Sequence, residues 1–174
     1  MPSYPTHTAT SSFSPFAMKS KLIAFLLAAS AMLAGSSLLT AADAAPRIVK
    51  IRAGVENAMK FDVASIPAAP GETIKVVLTN ASTLPKNVMG HNWVLLTAGS
   101  DAIAFSNAAV ADAASGYIPA KLKEKIIAVI NVLGPNETGE VTFTVPSQPG
   151  DYPFLCSFPA HCGIGMKGLL VVKK

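Results

Sequence analysis

Three side chains with metal-binding chemistry lie close together near the end of the chain, at Cys156, His161 and Met166. A proline and several glycines lie in the same stretch, so the chain can bend until the three side chains converge on one point. A thiolate, an imidazole and a thioether form a soft ligand set that suits copper, whereas zinc prefers a carboxylate to the thioether. This loop is therefore predicted to bind copper.

A second imidazole is needed to complete a trigonal set of copper ligands. His91 is the only other histidine after residue 44, and it begins a predicted strand within Met89-Gly-His-Asn-Trp-Val94. Two histidines, a cysteine and a weakly bound methionine form the ligand set of blue-copper electron-transfer sites. The sequence accordingly predicts one type 1 copper per chain. Its equatorial ligands would be His91, Cys156 and His161, and its axial ligand Met166.

The elements that must position these side chains are predicted to be β-strands. Seven short segments of alternating or β-branched residues are separated mostly by glycine, proline and asparagine. An alanine-rich stretch between Gly99 and Ser115 has helical spacing. The pattern predicts an all-β fold, a Greek-key β-sandwich or flattened barrel with one short helical insertion. The predicted strands are 47–52, 73–78, 91–96, 126–132, 140–145, 151–156 and 169–172.

Two details of the strand pattern bear on the site. Alternation along the strand 151–156 places Tyr152, Phe154 and Cys156 on one face and directs the cysteine sulfur inward. Pro135-Asn136 and Thr138-Gly139 predict a hairpin turn. The tripeptide that begins at Asn136 matches the N-glycosylation pattern, as does Asn80-Ala-Ser82, but such matches are common by chance and we assign them no function.

The N-terminal part has the pattern of a secretory signal peptide. Lys19 and Lys21 precede an apolar run at 22–34, and Ala42-Asp43-Ala44 matches a cleavage site. The run is shorter than the about 20 apolar residues that span a membrane. We therefore predict an N-terminal extension plus signal peptide at 1–44, a single domain at 45–174 and export to the periplasm. A retained anchor that tethers the domain to the outer side of the membrane is the lesser alternative.

Composition narrows the function classes further. The chain is 51% hydrophobic and 14% charged, which excludes an intrinsically disordered protein. A net charge of +4 is spread over scattered lysines without interleaved aromatic residues, so a nucleic-acid partner is not expected. Export favours disulfides, but both cysteines lie within one short loop beside His161, and Cys156 is already assigned to the metal.

Two segments carry a resemblance to a known family. Leu84-Pro-Lys-Asn-Val-Met-Gly-His-Asn-Trp-Val-Leu95 and the loop that contains Cys156-Ser-Phe-Pro-Ala-His161 resemble the azurins and auracyanins among the cupredoxins. The resemblance extends over 45–174. It implies a cupredoxin fold, the same copper ligands, and an electron carrier rather than an enzyme. The implied partners are c-type cytochromes or reductases, bound transiently by a monomer.

The resemblance also implies roles for residues around the ligands. Gly90 would offer its backbone carbonyl as a weak fifth contact to copper. Asn92 would form hydrogen bonds to Ser157 and thereby join the two ligand-bearing segments. An apolar surface for electron transfer around the edge of His161 would be formed by Met59, Met89, Phe158 and Ala160.

The sequence departs from azurins in ways that affect the site. Four residues separate His161 from Met166, as in auracyanins and plastocyanins, whereas azurins have three. Cys162 directly follows the ligand His161, and no cysteine precedes Cys156 to form the N-terminal disulfide of azurins. Cys162 has three interpretations: a small residue packed under the loop, an exposed thiol that links two chains into a dimer, or a competitor for copper.

Two other functions use similar residues. A periplasmic copper carrier would share the metal, but carriers usually offer exposed, exchangeable sites. A Cys–His hydrolase would use Cys156 as nucleophile, yet Met166 has no role in acyl transfer and no helix start is evident at the cysteine. We expect the electron carrier, with the copper carrier as the alternative.

Overall fold

The computed structural model describes residues 45–174, and the predicted leader at 1–44 lies outside the described residues. Within 45–174, eight strands, two short α-helices and three short 3-10 helices follow one another. The strands are β1 (Arg47–Ala53), β2 (Ser65–Ala68), β3 (Thr73–Asn80), β4 (His91–Leu96), β5 (Ile126–Leu133), β6 (Thr138–Thr144), β7 (Gly150–Leu155) and β8 (Lys167–Val172). The α-helices are α1 (Lys86–Met89) and α2 (Ala102–Ala109), and the 3-10 helices span Val55–Asn57, Val110–Ser115 and Ala120–Lys125.

The strands form two sheets, which confirms the predicted all-β architecture. One sheet has the order β1-β3-β6 and the other the order β2-β8-β7-β4-β5. β1 runs parallel to β3 and β2 parallel to β8, and the remaining neighbours are antiparallel. The sequence pattern missed β2, a four-residue edge strand that contains Pro67, because proline is typical of edge strands and turns alike.

The predicted hairpin between β5 and β6 is wrong. Asn136 does adopt the left-handed turn conformation, with φ of 61°. However, β5 pairs with β4 in the five-stranded sheet, whereas β6 pairs with β3 in the other sheet. Turn residues indicate that the chain reverses its direction. They do not determine with which strands the segments before and after the turn then pair.

An apolar core fills the space between the sheets. Trp93 of β4 lies at its centre, with its ring 6.1 Å from that of Phe143 and 5.5 Å from that of Phe154, measured between centroids. The three rings join strands of both sheets, since β6 carries Phe143 and β7 carries Phe154. This packing anchors β4 and β7, the two strands that lead to the predicted ligands.

A second, smaller apolar cluster covers the other face of β4 and β7. It includes Val94, Leu155 and Phe105, the last from α2. The helix begins at the side chain of Asp101, which accepts hydrogen bonds from two backbone N–H groups of its first turn. Because α2 covers this face, all six residues of β4 are buried. The helical insertion predicted at 99–115 is therefore present, and it makes the ligand-bearing strands interior.

Candidate metal centre

Three of the predicted ligands come from adjacent elements at one end of the sandwich. His91 is the first residue of β4, and Cys156 directly follows β7. The two strands pair antiparallel, with Val94 opposite Leu155, so the start of one lies beside the end of the other. His161 lies in the loop between β7 and β8 and returns toward both.

The ligand atoms converge in a buried space. The Sγ atom of Cys156 lies 3.5 Å from Nδ1 of His161 and 4.0 Å from Nδ1 of His91. All three side chains are buried, and their ligand atoms lie within 4.8 Å of one another. One sulfur and two imidazole nitrogens that face a common point match the equatorial ligand set of type 1 copper. The structure thus confirms that the predicted equatorial ligands form one cluster.

Burial sets the protonation of these groups in the metal-free protein. Removal from water lowers the pKa of His161 to about 4, and the same burial together with the nearby His161 lowers that of His91 to about 4. Burial also raises the pKa of Cys156 to about 12, although the backbone N–H groups of Asn92 and Phe158 favour the thiolate. Both imidazoles are therefore neutral donors near pH 7, and the thiol gives up its proton only when a cation replaces it.

Backbone hydrogen bonds close the loop that carries His161. The N–H of Met166 donates to the carbonyl of His161 at 3.0 Å, and the carbonyl of Met166 accepts from the N–H of Cys156 at 3.1 Å. Gly165, with φ of 107°, provides a backbone conformation that other residues rarely adopt. These bonds bring Met166, which is completely buried, next to two of the ligands through the main chain.

A network of hydrogen bonds joins the ligand loop to β4, as the resemblance implied. Asn92 accepts from the backbone N–H of Ser157 at 2.7 Å and donates from its amide to the Ser157 hydroxyl, also at 2.7 Å. That hydroxyl in turn donates to the carbonyl of Tyr117 at 2.6 Å, and the Asn92 amide reaches the carbonyl of Gly116 at 3.3 Å. The segment 116–117 therefore belongs to the support of the site, which the sequence pattern did not indicate.

Gly90 occupies a position in which only glycine fits. A Cβ atom there would overlap the carbonyl oxygen of Lys86 and a methyl group of Val132, and would lie 3.0 Å from the Phe158 ring. The absence of a side chain allows α1 and the ligand loop to pack closely beside His91. The contact of the Gly90 carbonyl with copper stays a prediction.

The predicted electron-transfer surface needs a correction. Met89 and Phe158 are only 6% and 8% exposed, so they lie beneath the surface rather than on it. Met59 is partly exposed and packs against the core, and Ala160 is exposed. The sequence predicts that Met89 and Phe158 are apolar residues near His161. Their burial results from the packing of α1 against the ligand loop, and no local sequence pattern indicates this packing. The Phe158 ring lies 4.9 Å from that of His161.

Cys162 is a packing residue in this structure. Its side chain is completely buried in the smaller cluster beneath α2, and its thiol donates to the carbonyl of Ala102 at 3.4 Å. The first interpretation of this cysteine is thus confirmed. The exposed thiol needed for a linked dimer is not present, and Cys162 does not belong to the cluster of His91, Cys156 and His161.

Three further residues line the His91 side of the site, and the sequence analysis did not assign them to it. Gly54 packs against the ring of His91, with Ser82 beside it, and Asn80 bonds to the backbone next to His91. Gly54 lies 37 residues and Ser82 nine residues before His91, and both lie within ordinary turn patterns. Only the fold brings them to the ligand.

Comparisons with known proteins agree with this geometry. A family model described as copper binding proteins, plastocyanin/azurin family, matches residues 49–173. Azurin of Pseudomonas fluorescens biotype C is 38% identical over 130 residues, which cover 71% of this chain and 98% of that protein. Auracyanin-B of Chloroflexus aurantiacus is 33% identical over 125 residues, which cover 71% of this chain and 51% of that protein.

Solved structures give the same result. Dithionite-reduced auracyanin of Roseiflexus castenholzii superposes with a TM-score of 0.65 at 34% identity, covering 73% of this chain and 97% of that chain. Auracyanin A of Chloroflexus aurantiacus, described as a "blue" copper protein, superposes with a TM-score of 0.64 at 34% identity, covering 74% of this chain and 99% of that chain.

Proposed function

The chain belongs to the plastocyanin/azurin family of copper-binding proteins, and we propose that it transfers single electrons outside the cytoplasmic membrane with Met166 as the axial ligand of its copper. It is a blue-copper electron carrier and not an enzyme. The observation that carries this function is the convergence of His91, Cys156 and His161 in a buried space.

The protein contributes a rigid and dry ligand set. When bound, copper supplies a one-electron couple between its +1 and +2 states. β4 and β7 hold His91 and Cys156 through the central core, and backbone hydrogen bonds hold the loop that carries His161. Ligands that keep their positions in both redox states lower the reorganisation required for electron transfer. The same burial argues against a copper carrier, which would need an accessible site for exchange.

Two observations support Met166 as the axial ligand. Its side chain is completely buried, and its backbone is hydrogen-bonded to both His161 and Cys156. A thioether is a weak axial ligand that tunes the potential and does not hold the metal. We expect Met166→Leu to retain copper and to raise the reduction potential, measured by redox titration. Loss of copper from this variant would contradict the axial assignment.

Electrons enter and leave near His161 in this proposal. His161 is 2% exposed, and Ala160 and Ile164 of the same loop are exposed, Ile164 to 60%. Val88 in α1, next to the His91 segment, is 54% exposed. Small apolar contact areas of this kind suit the brief encounters of redox proteins. The proposed partners are c-type cytochromes or reductases, bound by a monomer.

Location outside the cytoplasmic membrane rests on the leader pattern at 1–44. Among the described residues, no helix combines the length and apolar character needed to cross a membrane. We propose cleavage after Ala44, which would release the domain into the periplasm. Mass spectrometry of protein recovered from the exported fraction should give an N-terminus at Ala45, and an intact leader would instead favour the tethered form.

A potentiometric titration tests the proposed activity. The purified, copper-loaded protein should titrate reversibly as a one-electron couple and should exchange electrons with a c-type cytochrome in stopped-flow mixing. The copper-loaded Cys156→Ser variant serves as the control, because it keeps both imidazoles and loses the thiolate. A wild-type protein that binds copper yet cannot be reversibly oxidised and reduced would contradict electron transfer and favour the copper carrier.

A further inference from the structure

Among the residues that the structure describes, no hydrogen bond at the buried Nε2 atom fixes the orientation of the His91 ring. A metal-binding histidine usually donates from its second nitrogen to a carbonyl or carboxylate, which fixes the plane of the ring. Another device must therefore hold this ligand.

Close packing holds one edge of the ring. A Cβ atom on Gly54 would lie 2.6 Å from Nε2 and 3.0 Å from Cδ2 of His91, and 3.0 Å from Cβ of Ser82. Gly54 has φ of 73°, a conformation that suits glycine. The ring edge is thus in contact with a main-chain segment that leaves no room for a side chain.

Asn80, at the end of β3, forms hydrogen bonds with the backbone around His91. Its side chain is completely buried. The amide nitrogen donates to the carbonyl of Met89 at 3.1 Å and to that of Leu133 at 2.9 Å, while Oδ1 accepts from the N–H of Ser82 at 2.9 Å. One buried amide therefore connects three segments that meet at His91.

Each of these three segments lies close to His91 in the sequence or in the fold. Met89 lies two residues before His91, and Leu133 is the residue of β5 opposite His91. The pairing of β4 with β5 shifts its register between His91 and Trp93, so the His91–Leu133 pair stands apart from the regular part of the ladder. Ser82 is the residue beside Gly54 at the ring. Asn80 adds side-chain hydrogen bonds at this irregular point of the ladder.

We propose that Asn80 is a positioning residue for the copper ligand His91, acting through the carbonyls of Met89 and Leu133 and through Ser82. The inference rests on the proposed function, because it assigns a role toward the same copper site. It also explains the Asn80-Ala-Ser82 tripeptide without glycosylation, since the Asn80 amide is buried and fully used.

The test compares Asn80→Ala with Val76→Ala, a matched control. Val76 is completely buried on the same inward face of β3, about 13 Å along the strand from Asn80. Both variants should lose stability in denaturant titrations, because each removes a completely buried side chain. Only Asn80→Ala should weaken copper affinity by about 10-fold or more and change the visible band and the copper hyperfine splitting. In the metal-free protein, only Asn80→Ala should shift the NMR signals of the His91 ring.

The possible outcomes distinguish a failure of the Asn80 positioning role from a failure of the blue-copper function. An Asn80→Ala protein with wild-type copper affinity, spectrum and His91 signals would overturn the positioning role, and equal spectral changes in Val76→Ala would do the same. If Asn80→Ala does not fold, Asn80→Ser, which keeps a hydroxyl donor, is measured against the same criteria. A wild-type protein without an intense visible band would instead contradict the blue-copper function itself.

Discussion

The two copper-binding histidines are held in different ways. His161 lies in a loop that folds back on itself through backbone hydrogen bonds and that Asn92 ties to β4 through Ser157. His91 begins a central strand, and its Nε2 packs against Gly54 without a hydrogen bond to any residue the structure describes. His161 is therefore held by the hydrogen bonds of its own loop, whereas His91 is held by close packing and by the bonds of Asn80 to the backbone around it.

This difference shows that one apolar core can support two histidine ligands that are held by different contacts. β4 is anchored on both faces, so its first residue needs only local packing and one buried amide. The loop after β7 has no strand partner of its own, so its polar groups must be satisfied within the loop and by Asn92. We therefore expect substitutions around His91 and substitutions around His161 to have different effects.

Removal of the sulfur that lies between the two histidines should have the largest effect. Cys156→Ser takes away the thiolate and should abolish the intense charge-transfer band completely, while the apo-like fold remains. Visible absorption and far-UV circular dichroism of the copper-loaded variant check this. A fully coloured Cys156→Ser protein would mean that another group, such as Cys162, supplies the thiolate.

Disruption of the hydrogen bonds that hold the His161 loop should have the next largest effect. Ser157→Ala removes the hydroxyl that donates to Tyr117 and accepts from Asn92, and leaves buried polar atoms unpaired. We expect a loss of about 1 to 3 kcal/mol in the free energy of unfolding. Thr79→Ala, which deletes an exposed hydroxyl pair with Thr138, should cost less than about 0.5 kcal/mol. Equal losses in the two variants would show that the network does not hold the loop.

A smaller effect is expected at Cys162, which connects the ligand loop to α2. Cys162→Ala leaves a small cavity in the cluster beneath the helix and should cost about 1 kcal/mol of unfolding free energy. The variant should still bind one copper with an unchanged band, measured by metal analysis and absorption. Rapid reaction of native Cys162 with a thiol reagent would contradict its burial.

The smallest effect is expected far from both histidines, at the ion pair between Arg47 and Glu72. The hydrogen bond from Arg47 is the main cause that holds the pKa of Glu72 below its usual value. A carboxylate with a lowered pKa stabilises the fold above its unfolded pKa of about 4.3, and this contribution disappears as the pH falls through the folded value.

Glu72→Gln should therefore lower the unfolding free energy of the metal-free protein by about 0.5 kcal/mol at pH 7, because the pair is largely solvated. The difference from wild type should shrink as the pH falls below the unfolded pKa of about 4.3 and should vanish below the lower folded pKa. Denaturant titrations at several pH values measure it. A difference that stays constant or grows on acidification would show that the charge of Glu72 is not its source.

The three clustered ligands could be predicted from the sequence because their chemistry is local. Cys156 and His161 share one loop, and residue type alone selects the second histidine. The two-sheet fold followed from alternation and turn residues. Residue patterns could not reveal β2, because its Pro67 is equally typical of a turn. They also could not reveal that Phe158 lies beneath the surface or that Asn80 bonds to the carbonyls of Met89 and Leu133, because these contacts depend on how separate segments pack together.

Absorption and EPR spectra of the copper-loaded wild-type protein, before and after ascorbate, test the central claim most directly. A thiolate between two imidazoles in a buried site should give an intense visible band and a narrow copper hyperfine splitting, and ascorbate should remove the band reversibly. A weak band with ordinary hyperfine splitting would mean that Cys156 does not bind copper as the structure indicates, and would contradict the blue-copper assignment.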